Sequence, residues 1–263
     1  MSKHFTKPFN PIGWQGSPHD FSGDNNLGIY ATEATQRFVY GTRYLTWDGR
    51  VYKYANAGAA ITTAHVDYAV YWAADHRSDW YQALPAAITA GDTSVLVDLT
   101  GGSSETCDED ELAGGYVFLM KLALANQCIR QIVGNTKNVS TETIIYLEAP
   151  VSHAFTKTTD HFEILANPWA DIRSSYATGT TTTTMAGMPV VTCAASSKTW
   201  IQTWGICRGS WVGPAATERS LYYHANGSFA HYADIAAGTD QVAGVCILPG
   251  TDHSAFFMLQ LSI

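Results

Sequence analysis

From Trp200 to the C-terminus the chain is written as short apolar runs separated by turn residues, and this grammar restricts it to a β fold. One run reads Trp200-Ile-Gln-Thr-Trp-Gly-Ile-Cys-Arg-Gly-Ser-Trp-Val. After a loop come Leu221-Tyr-Tyr-His-Ala-Asn-Gly-Ser-Phe-Ala-His-Tyr-Ala, Gln241-Val-Ala-Gly-Val-Cys-Ile-Leu and Ser254-Ala-Phe-Phe-Met-Leu-Gln-Leu-Ser-Ile. Aromatic and β-branched residues between Gly and Asn turns favour strands. None of these runs holds a catalytic constellation.

The same grammar occurs earlier. Asp48-Gly49 sits between two alternating runs, Gln36 to Trp47 and Arg50 to Ala55. It predicts a hairpin closed by a type I′ turn, because Gly accepts positive φ freely. Arg43, Arg50 and Lys53 alternate with Tyr44, Tyr52 and Tyr54, a mixed basic and aromatic face. A single-stranded nucleic acid platform could look like this, but an ordinary strand with a solvated or partner-facing side is the favoured reading, in keeping with the acidic total. Further strands are predicted at Ser94–Leu99, Tyr116–Met120, Gln127–Val133, Thr143–Leu147 and His161–Leu165. Strands at this spacing suggest a small sandwich or barrel. Residues 57–85 are Ala-rich but carry Val, Thr and Tyr, and read as a loop with one short helix or strand.

Residues 1–35 read differently. Pro8, Pro11, Gly13, Gly16, Pro18, Gly23 and Gly28 exclude a regular element, while Phe5, Phe9, Ile12, Trp14, Phe21 and Tyr30 call for burial. This predicts an extended arm that lies on something, with a neighbouring subunit preferred over its own domain. The Thr-rich stretch from Tyr176 is predicted to connect a β-rich domain over 36–175, which holds an inserted middle β unit, to a C-terminal unit over 176–263.

Composition narrows the function. Charged residues make up only 14% of the 263, against 14 Tyr, 8 Trp and 10 Phe. Charge depletion with aromatic enrichment marks interface cores. The net charge of −8 argues against a phosphate backbone as partner. Five widely spaced cysteines, with no CxxC, fit neither a zinc site nor a secreted disulfide framework. The N-terminus has no apolar signal core, and no stretch approaches a membrane-spanning length, so assembly in a cytoplasm is expected.

Candidate chemistry is thin. The acidic run Asp108-Glu-Asp-Glu111 lacks the ligand spacing of a calcium loop and reads as a solvated loop. His65 with Asp67, and His76 with Asp75 or Asp79, could orient an imidazole, but there is no HExxH and no nucleophile elbow. The expectation is no catalytic residue, no cofactor and no metal. Trp72, Trp80, Tyr81, Trp200 and Trp211 could stack on sugars, which keeps a glycan-binding module as the alternative.

The C-terminal block resembles the β-tulip head decoration proteins of tailed bacteriophages. The matching pattern is a strand entering through Tyr222, a turn at Asn226-Gly227-Ser228, the stretch Phe229 to Asp240, then Gln241 to Gly250 and a final apolar strand. The block Gly41 to Ala60 looks like phage virion proteins, and Gly114 to Pro168 is similar to the same group. The resemblance implies a mainly β fold in which one or two small β-tulip-like sandwich or barrel units follow the arm, 176–263 being one such unit. It implies a non-enzymatic cement protein on the virion capsid surface, assembled in the host cytoplasm. Its partners would be the major capsid protein and sister subunits in a homotrimer, with no nucleic acid or membrane. Phe5, Phe9, Trp14 and Phe21 are the expected arm contacts to the capsid or a sister subunit. The alternative in the same setting is a tail-fibre or host-recognition module.

Overall fold

The computed structural model describes residues 28–46, 48–73, 82–99, 107–121, 126–138, 141–174, 184–211, 219–224, 226–231, 241–248 and 254–261. Over these the protein is all-β, built from two curled antiparallel sheets. Among the described residues helical structure is limited to 3₁₀ turns at Thr63–His65 and Pro168–Ala170. The chain forms two compact units. One comprises Met1–Ala74 with Trp169–Ile263, and the other is Asp75–Pro168, inserted between the two parts of the first.

The first unit holds a 10-stranded sheet. Its strands are β1 (Arg43–Leu45), β2 (Val51–Asn56), β3 (Val70–Trp72), β10 (Ile172–Ser174), β11 (Met185–Pro189), β12 (Lys198–Ser210), β13 (Ser220–Tyr223), β14 (Phe229–Ala230), β15 (Val242–Leu248) and β16 (Ser254–Gln260). The longest, β12, is the spine and pairs with β2, β11 and β16. The two chain segments of the unit thus share one sheet, which a division at residue 175 does not anticipate. On either side of the Thr-rich stretch, β10 and β11 both pair with β3. That stretch therefore joins two strands of one unit, where the sequence predicts a link between units.

The predicted hairpin forms as β1 and β2, in register Arg43↔Lys53 and Leu45↔Val51. Its turn is longer than the expected two-residue type I′. Gly49 N–H donates to Thr46 O (3.0 Å) and Thr46 N–H to Arg50 O (2.9 Å), so three residues separate the pair. Within the Asp48-Gly49 pair only Gly49 takes positive φ, at 85°. A type I turn closed by a left-handed Gly suits a three-residue loop, whereas type I′ needs two positive φ values.

Residues 57–85 contribute the 3₁₀ turn at Thr63–His65, then β3 and β4 (Gln82–Ala83), in keeping with a loop carrying short elements. The second unit is a six-stranded sheet in the order β4, β9 (His161–Leu165), β6 (Tyr116–Met120), β7 (Gln127–Asn135), β8 (Glu142–Leu147), β5 (Ser94–Asp98). Its inner face carries Val95, Val97, Val117, Leu119, Ile132, Ile145, Phe162 and Ile164, joined by Leu84, Ile88, Leu112 and Phe155 from the loops. Each such side chain contributes about 2 kcal/mol when fully withdrawn from water.

The corner before β6 rests on one buried amide. Asn135 Oδ1 accepts the Leu112 N–H (2.8 Å), while its Nδ2 donates to the carbonyls of Asp108 (2.8 Å) and Thr136 (2.9 Å). Buried polar groups are tolerated when satisfied in this way. This corner also explains the acidic run. The Glu111 carboxylate accepts the Asp108 N–H (2.8 Å) and Lys137 Nζ pairs with Asp108 (2.8 Å), a bond that holds the Asp108 carboxyl below its usual range. The acids shape a turn.

Candidate interaction surfaces

Alternation along a strand decides which residues face the core and which face out. In β8 the pattern is strict: Thr143, Ile145 and Leu147 are buried, while Glu142, Ile144, Tyr146 are exposed. Two of those three outward positions are large and apolar. Cross-strand register shows that they belong to a continuous surface. Tyr116 of β6 lies between Leu165 of β9 and Gln131 of β7, and Phe118 lies between Glu163 and Ile129. Tyr146 of β8 is opposite Gly134 of β7 and Ser94 of β5, and Ile144 is opposite Leu96.

Ile129 is 58% exposed, Leu165 52% and Tyr146 44%. With Tyr116, Val133 and Ile144 they line the outward face of the sheet as large exposed apolar side chains. Scattered exposed apolar residues are normal, but a contiguous sheet face is informative. Its charged members are the carboxylates Glu163, Glu142 and Asp98, which share the outward register.

The 10-stranded sheet has a comparable face. Ile206 of β12, Met258 of β16 and Val245 of β15 form one cross-strand row; Arg208, Phe256 and Leu248 form the next. Ile206 is 57% exposed and Leu248 61%. Behind this face Phe257 packs on Phe229 with ring centroids 4.0 Å apart, closing the core of the closing strands.

The other candidate groups are occupied structurally. Tyr52 and Tyr54 of the basic-aromatic hairpin are buried, and Tyr54 meets Phe38, Tyr40 and Trp200 at 5.2, 6.1 and 5.2 Å. Burial raises the phenol of Tyr40 to about 12. Lys53 has its ammonium pKa lowered, first by desolvation and then by Arg43. The hairpin's aromatic side is therefore core rather than a platform for bases. His65 Nδ1 accepts the Thr62 N–H (3.3 Å), and Asp67 pairs with Arg208 (3.6 Å). No group of three or more metal-ligating side chains occurs among the described residues. Trp200 and Trp211 are buried, and Trp72 packs edge-on against Trp169 at 5.6 Å. His76, Trp80 and Tyr81 lie outside the described residues, as do all four predicted arm contacts, Phe5, Phe9, Trp14 and Phe21. The arm's last stretch is described: Ile29 is buried against Tyr52, Tyr54 and Trp200 of its own chain.

All five cysteines are free thiols, four of them buried, and Cys207 is half-buried. Burial pushes the Cys193 and Cys207 thiols up, which keeps them protonated and unreactive. No family model, no curated protein and no solved structure matches the chain.

Proposed function

We propose that this protein is a structural component of a phage virion that binds the outer capsid surface and stabilises the head. Its contacts would be the major capsid protein and sister subunits, as a homotrimer. The observation that carries this reading is the outward face of the six-stranded sheet, an apolar surface spread over β6, β7, β8 and β9. A sheet face of that kind asks for a partner. The low charged share and the resemblance of the C-terminal block to β-tulip decoration proteins support the same reading. No reaction is needed: buried area at each joint opposes the outward pressure of packed DNA, and many weak copies act together through avidity.

The test is occupancy on purified particles. Hundreds of copies on the head are expected, and Ile129→Glu with Tyr146→Glu should strip them while the isolated variant keeps its strand circular dichroism. A handful of copies confined to the tail would replace this reading with the fibre one. A folded double variant at full occupancy would remove the six-stranded face from it.

A further inference from the structure

The charges of this chain are few, and its two outward sheet faces sort them by sign. Strands β1, β2, β12, β15 and β16 contain no Asp or Glu. Strands β4 to β9 contain a single Lys or Arg, Arg130. Arg130 has the core-side register, opposite Val117, and its Nε donates to the Pro150 carbonyl at 2.8 Å.

Register places the remaining charges. The irregularity between Gln202 and Trp204 sets Trp204 opposite Val51 of β2. Trp204, Ile206 and Arg208 therefore continue the side of the sheet that carries Val51 and Lys53. Arg43 of β1 is opposite Lys53, and Phe256 of β16 is opposite Arg208. This side thus holds Arg43 and Lys53 toward one end and Arg208 toward the other, with Ile206, Val245 and Phe256 exposed on it. Arg208 pairs with Asp67 at 3.6 Å and stays half-exposed. The outward side of the six-stranded sheet is its opposite in sign. There Glu163 is opposite Phe118, and Glu142 is opposite Asp98, beside the exposed Ile129, Tyr146 and Leu165.

Each face also carries a strain of its own. Asp98 and Glu142 are directly opposite on neighbouring strands, and so are Arg43 and Lys53. Like charges in that position destabilise a sheet. Burial, and then Arg43, hold the Lys53 ammonium below its usual range. An opposite charge brought up from outside relieves both pairs. Each face supplies what the other lacks: apolar side chains for apolar side chains, carboxylates for cations. An isologous contact would set like sign on like sign. A heterologous contact, repeated from copy to copy, sets acid on base.

We propose that the outward face of the six-stranded sheet in one copy docks on the outward face of β1, β2, β12, β16 and β15 in a second copy of this chain, carboxylates against cations. The inference rests on the reading of the six-stranded face as a protein contact, and it names the sister subunit as the occupant. It needs no capsid.

Sedimentation of the purified full-length chain, without particles, tests it. The parent should run above the monomer and dissociate on dilution. Glu142→Lys with Glu163→Lys, and separately Lys53→Glu with Arg208→Glu, should each weaken the association at least about tenfold, because like charges then meet. All four substitutions in one chain should restore it. Ile206→Ser with Phe256→Ser changes no charge and should also weaken it, with strand circular dichroism retained. A monomeric parent, folded single-face variants that associate as the parent does, or a folded fourfold variant that stays monomeric would each overturn the proposal. Should the charge variants not fold, parent-like association of the Ile206→Ser, Phe256→Ser chain overturns it alone. Rescue by the fourfold variant with no copies on the head would remove the capsid and keep this contact. Full head occupancy by a chain that is monomeric in solution would do the reverse.

Discussion

Asp48 shows how one side chain turns a loop into a hairpin. Burial opposes its ionisation, but the bonds it accepts from Thr46 Oγ1, the Arg50 N–H and Arg50 Nε outweigh that and hold its carboxyl below the usual range. A lowered folded-state value means the stabilisation is complete above the ordinary carboxylate pKa of about 4. It is lost as pH falls through the lowered value. Asp48→Asn keeps an acceptor oxygen but gives up the charge facing Arg50. It should cost about 1 kcal/mol at neutral pH, no more because the pair is a third exposed and screened. Urea midpoints of parent and variant should converge as pH is lowered toward 2. A gap that stays constant with pH would show that the charge contributes nothing.

At the scale of elements, close approach of backbones fixes the closing strands. Gly244 of β15 has φ of 152°, and a Cβ there would stand 1.9 Å from the Met258 carbonyl oxygen of β16. Gly244→Ala should therefore destabilise by at least about 2 kcal/mol through strain and a broken ladder. Chemical denaturation with exchange mapping of residues 254–260 would measure it, and a change below about 0.5 kcal/mol would contradict the register. The strands themselves were legible because their signals are local: alternation in β8, Gly49 in the turn, the long apolar run of β12. What covers each face was not. Ile144-Ile145-Tyr146-Leu147 reads as a run apolar on both sides, and nothing in it says that Ile145 meets a core while Ile144 and Tyr146 meet solvent. The outward surfaces became visible only when cross-strand register joined Tyr116, Ile129 and Tyr146 into one face. The burial of the hairpin's aromatic side, where the sequence favours an ordinary strand with a solvated or partner-facing side, was hidden for the same reason. That Tyr52 and Tyr54 lie under Phe38 and Trp200 depends on pairing between β2 and a strand more than a hundred residues away.

That long-range pairing also sets the organisation of the whole molecule. A sequence read from left to right places boundaries where composition changes, and the Thr-rich stretch is such a place. Compactness instead follows β2, β3 and β12, which bring the two ends of the chain into one sheet and leave Asp75–Pro168 as an insertion. The points of entry and exit lie together within the first unit: Ala73 N–H donates to Asp171 O at 3.0 Å, and Trp72 packs on Trp169. The insertion has a core of its own, drawn wholly from residues between Leu84 and Ile164. A unit with its own core and adjacent ends is able to fold alone. Residues 75–168 produced by themselves should give a dispersed amide spectrum and a cooperative melt. The first unit, with a few Gly and Ser residues joining Ala73 to Asp171, should keep its strand content. The outward apolar face makes the isolated insertion prone to associate, so Ile129→Lys with Tyr146→Lys should be made alongside. If that soluble variant lacks a cooperative transition, the two units depend on each other for folding and the insertion is not a domain.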